Sequence, residues 1–124
     1  MQAGDSRVEI VMPLADWFFI DAVMDNAAQS SIETQDPDAT RRPRAIREAG
    51  WAVTQPLTDQ FVKARQWPPP DAVMSQGVTI ALSPSDWNFI VDGLRRSSEI
   101  ADRVGHHDDA ARGRELADQL ARPP

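Results

Sequence analysis

Cysteine and tyrosine are absent from this chain of 124 residues, and histidine occurs only twice. Without cysteine there is neither a disulfide nor a thiolate nucleophile, a composition suited to a reducing compartment. The two histidines, His106 and His107, are adjacent in one polar turn with no identifiable serine partner, so nucleophilic catalysis lacks its parts. The six glycines are scattered and spell neither the dinucleotide-binding nor the phosphate-loop pattern. No apolar run approaches the ~20 residues that span a bilayer, and Met1 to Arg7 has neither the cationic head nor the apolar stretch of a signal peptide. A soluble, cytoplasmic protein without a cofactor is the expectation.

What is present is enough to fold. Apolar residues make up 41% of the chain, and Trp17, Trp51, Trp67 and Trp87 supply large anchors for burial. The length suits one domain over 1–124. The net charge of −6 is uneven: acids dominate residues 1–40, bases dominate 41–70, and acids return in 71–124. An acidic average argues against generic duplex binding, which needs a concentrated basic face.

The chain contains an internal repeat at an offset of seventy. Val8-Glu9-Ile10-Val11-Met12 leads into Asp16-Trp17-Phe18-Phe19-Ile20; Val78-Thr79-Ile80-Ala81-Leu82 leads into Asp86-Trp87-Asn88-Phe89-Ile90. Without a gap the offset also pairs Asp38 with Asp108, Arg42 with Arg112 and Arg44 with Arg114, making nine identities between 8–50 and 78–120. Chance predicts roughly two or three, so the pattern reads as one supersecondary unit built twice.

Each copy reads as a strand, a capped helix, a turn and a second helix. Alternation over 78–82 marks a half-buried strand. Ser83-Pro84-Ser85-Asp86 is a helix start, with a hydroxyl to accept free N–H groups and a proline where its missing donor costs nothing. Trp87, Ile90, Val91, Leu94, Ala101 and Val104 form an apolar stripe that Gly105 ends, and Ala110, Leu116, Ala117 and Leu120 line a last helix. In the first copy capping rests on Asp16, and the stripe is Trp17, Ile20, Met24 and Ala28. The fold expected is α+β: a pseudo-twofold pair of strand-helix-helix units whose small antiparallel sheet is covered by about four helices. The linker 51–77 is too long to lack structure. Strands at 51–54 or 72–75, a short helix from Thr58 to Arg65 and a stiff extended Trp67-Pro68-Pro69-Pro70 are its expected contents.

Candidate interaction residues are Arg41, Arg42, Arg44, Arg47 and Trp67. The arginines, with Lys63, Arg65 and Trp51, concentrate positive charge and aromatic surface. They suit pairing with the acidic first forty residues or with another protein, and, as the alternative, binding of phosphate or single-stranded nucleic acid. The acidic N-terminal region offers a further alternative, inhibition of a nucleic-acid enzyme by phosphate mimicry. Trp67 beside three prolines is either a docking element or a fastening for the linker. His106-His107-Asp108-Asp109 has metal-ligand types, but adjacent side chains seldom converge on one ion, so a capping turn is the reading. Asp16 and Asp86 are likewise read as helix-start acids rather than a catalytic pair.

The strand followed by Ser83-Pro84-Ser85-Asp86-Trp87, Leu94, the Gly105 turn and Leu116-Ala117-Asp118-Gln119-Leu120 resembles small uncharacterised proteins of actinobacteria and their phages. The resemblance covers residues 78–122 and implies a helix-rich fold in a bacterial or phage setting, with no activity to carry over. His106 and His107 depart from it, standing where those proteins commonly have acids. Together these readings lead to a non-enzymatic, acidic protein-interaction or regulatory protein. Its expected contacts are its acidic face or its sheet edge, the latter a route to a homodimer.

Overall fold

The computed structural model describes residues 6–33 and 37–121 and, among these, the side chains outside 30–39. The elements in chain order are β1 (Val8–Pro13), α1 (Leu14–Glu33), α2 (Pro37–Lys63), α3 (Asp71–Met74), β2 (Gly77–Leu82), α4 (Pro84–Arg103) and α5 (His107–Ala121). The fold is α+β, with a two-stranded antiparallel sheet and, among the described residues, five helices.

Alternation sets the sheet. Met12, Val78, Ile80 and Leu82 are buried and Ile10 is packed against them, while Glu9, Val11 and Thr79 face outward, Val11 with 69% of its surface exposed. The register places Ile10 opposite Ile80, so the two repeat partners meet at the centre of the ribbon. The Leu14 N–H donates to the Gln76 carbonyl at 2.9 Å and carries the pairing past β1 into the start of α1.

α4 starts as its sequence dictates. Ser83 is extended, Pro84 follows at the first helical position, and the Ser83 hydroxyl accepts the Asp86 N–H at 3.2 Å. Trp87, Ile90, Val91 and Leu94 are buried as the stripe requires, but Ser98 takes the next inward position and Val104 is exposed. Gly105 adopts φ +87°, a left-handed conformation that lets its N–H and that of His106 cap the last carbonyls of α4 before α5 begins. On α5, Ala110, Leu116 and Ala117 are buried against the core.

The region 51–77 differs from expectation. Residues 51–54 are not a strand, nor are 72–75: the former lie inside α2 and the latter largely in α3. α2 does not stop at Gly50 but runs on to Lys63 through Pro43, Gly50 and Pro56, absorbing most of the short helix expected after Thr58. Packing accounts for this. Gly50 lies so close to the Trp17 indole that a Cβ there would fall 1.9 Å from Cζ2, and a helix without a side chain at that point is what lets α2 close over α1. Of Trp67 to Pro70, expected to be extended throughout, Pro70 is extended at φ −59° and ψ 156°, but the chain bends at Pro68 after a cis Trp67–Pro68 peptide bond.

Arg42 and Arg112, seventy positions apart, make matching contacts. Arg42 on α2 donates to the Ser85 carbonyl at 3.2 Å, lies 3.6 Å from the Asp86 carboxylate and sits 5.8 Å from the Phe89 ring centre. Arg112 on α5 donates to the Ala15 carbonyl at 3.1 Å and to Asp16 at 3.4 Å, and sits 4.8 Å from the Phe19 ring centre. Each residue of the first set is seventy positions from its counterpart in the second. The tryptophans differ: the Trp87 indole N–H donates to the Val8 carbonyl at 2.9 Å, whereas the fully buried Trp17 indole nitrogen has no hydrogen-bond partner. The expected match of Asp38 with Asp108 involves a side chain outside the described residues.

Candidate functional site: an aromatic cleft between two helices

A helix that continues past Gly50 presents Trp51, Thr54, Gln55 and Thr58 on one face, at steps of three and four residues. Phe18 and Asp21 of α1 stand opposite, and Trp67 closes the end, its ring centre 5.5 Å from that of Phe18. Together they line an open cleft of about 310 Å³. Trp51 and Trp67 are 38% and 52% exposed, large apolar area for side chains that elsewhere in this chain are buried. Thr54 and Thr58 are buried beneath, and the Thr58 hydroxyl is spent on the Thr54 carbonyl at 3.3 Å.

Arg47 fixes one wall. Its Nε and Nη2 donate to the two oxygens of Asp21 at 3.0 and 3.3 Å, its Nη1 donates to Asp25 at 3.0 Å, and its guanidinium lies 4.8 Å from the Trp51 ring centre. The hydrogen bond to Asp21, helped by the charges of Asp21 and Asp25 and opposed by partial burial, raises the Arg47 pKa further above its ordinary range. Two carboxylates thus share one guanidinium at the edge of the cleft, and the Asp25 side chain remains 45% exposed.

The five candidate residues therefore separate. Trp67 lines the cleft and Arg47 braces two lining residues, Asp21 and Trp51; Arg42 belongs to the contact with α4; Arg41 and Arg44 are exposed on α2. Arg42 and Arg47 are occupied within the chain, so the basic stretch does not form a continuous free cationic face. Phe18, Asp21, Asp25, Thr54, Gln55 and Thr58 were not among the candidate interaction residues. For the α2 residues the signal was the helical spacing of Trp51, Thr54, Gln55 and Thr58, masked by the strand expected at 51–54.

The histidine turn has a structural role. His107 Nδ1 shares a hydrogen bond with Asp102 Oδ1 at 2.9 Å, and Arg114 binds the other oxygen at 2.6 Å, tying the end of α4 to α5. These bonds, that from His107 foremost, hold the Asp102 pKa below its ordinary value. Among the described residues no three His, Cys, Asp or Glu side chains are grouped to hold a metal ion. No helix among them is long and apolar enough to cross a membrane. No protein-family model, no curated protein and no solved structure matches this chain.

Proposed function

We propose that the chain is a duplicated strand-helix-helix unit that serves as a non-enzymatic protein-interaction module, docking its partner in the cleft between α1, α2 and Trp67. The observation that carries this is the pair of half-exposed tryptophans converging on one cleft, since aromatic side chains in concave sites are what partners use as anchors. The matching contacts of Arg42 and Arg112 support the duplication. A cytoplasmic, actinobacterial or phage setting belongs to the same proposal. Nucleic-acid binding through 41–67 has less support, because Arg42 and Arg47 already satisfy acids and carbonyls of their own chain.

A photo-reactive side chain at Gln55 tests the reading in lysate. A discrete protein should be captured by the parent chain and lost from the Trp51→Ala and Trp67→Ala variants at unchanged far-ultraviolet circular dichroism. Capture that ignores both substitutions would remove the cleft from consideration.

A further inference from the structure

We infer that the cleft takes an extended, proline-containing peptide that carries a basic residue. This rests on the docking role proposed above and names its ligand. Chemistry selects the class. The walls are three aromatic rings from α1, α2 and the Trp67 segment, while the polar lining is sparse: Asp21 is bound by Arg47, and Thr58 is hydrogen-bonded to its own helix. A sugar or a nucleobase edge, which needs several convergent polar partners, would leave its own groups unpaired there.

A polyproline-type segment asks for what is present. It has no internal hydrogen bonds, lays its rings against aromatic faces, and needs few donors for its free carbonyls; the amide of Gln55 in the lining is a donor of that kind. It is ordered before binding, so a shallow open cleft can hold it with little entropy to recover. Charge decides the rest. The half-exposed Asp25 carboxylate, one of two that share the Arg47 guanidinium, and the net charge of −6 favour a ligand with an arginine or lysine next to its prolines.

The test is a titration of the full chain, read by tryptophan emission, with three synthetic peptides. They are an oligoproline ending in two arginines, the same oligoproline without them, and a glycine-serine peptide with the same arginines. Saturable binding of the first is expected, weaker by about tenfold or more in Trp67→Ala and in Trp51→Ala, as for a truncated interface anchor. Asp25→Asn should weaken only the arginine-bearing oligoproline, by severalfold, and salt should do the same. Equal binding of the glycine-serine peptide, or binding indifferent to both tryptophan substitutions, would overturn the assignment. If no peptide binds while lysate capture still depends on Trp51 and Trp67, the ligand class is wrong and the docking role stands; if capture also ignores them, both fall.

Discussion

Gly50→Ala pits helix propensity against packing. Within a helix, replacing glycine by alanine favours folding by about 1 kcal/mol, so a reading of α2 alone expects a more stable protein. The tertiary structure reverses the sign. A Cβ on Gly50 would lie 1.9, 2.1 and 2.4 Å from Cζ2, Cε2 and Nε1 of Trp17, far inside contact distance, and the ring is fully buried. Either the indole or α2 must shift by more than an ångström in a close-packed interior, and overpacking of this kind costs about 1–3 kcal/mol and at times more. The contacts are severe enough to set the upper end, so the net loss should be about 2 kcal/mol. In urea, with a slope of about 2 kcal/mol per molar, that lowers the midpoint by about 1 M at unchanged slope. Gly93→Ala is the control, because its nearest neighbour is the flexible tip of Met24 at 3.1 Å; it should be neutral or stabilising. In a Trp17→Phe background, which removes the clashing atoms, Gly50→Ala should lose most of its cost. A raised midpoint for Gly50→Ala in the parent protein would refute the reasoning.

Arg112→Ala should destabilise by about 1 kcal/mol, since the pair with Asp16 is largely solvent-exposed and the carbonyl and ring contacts carry the rest. Arg42→Ala should cost a similar amount and the double variant about the sum, measured by urea unfolding; no loss from either would dissolve the reciprocal contact. For Asp102, the folded carboxyl titrates below its ordinary 3.8, so its contribution is fully present above that value and is lost as pH falls through the lowered one. Thermal unfolding of the parent protein should therefore fall more steeply below about pH 4 than that of Asp102→Asn. Identical slopes would mean that the bonds to His107 and Arg114 do not persist in solution.

Local patterns determined much of this protein. The alternation of Val78, Ile80 and Leu82, the Ser83-Pro84 start, the Trp87-Ile90-Val91-Leu94 stripe and the Gly105 turn each follow from forces acting within a few residues, and each is found in the fold. The antiparallel pairing of the two strands followed as well, because one strand with its following helices cannot bury its apolar face alone. Tertiary structure decided α2. Pro43, Gly50 and Pro56 all argue locally for a break, yet the helix continues, because burial of its Ile46 in the core and of Gly50 against Trp17 outweighs the propensity lost at those positions. The cleft depends on that decision. Phe18, Trp51 and Trp67 come from three separate stretches of chain, and only the packing of α2 on α1 brings them to a common surface. A sequence records which residues suit a strand or a helix start, since those are near-neighbour energies; which distant rings meet is set by the long-range packing that closes the core.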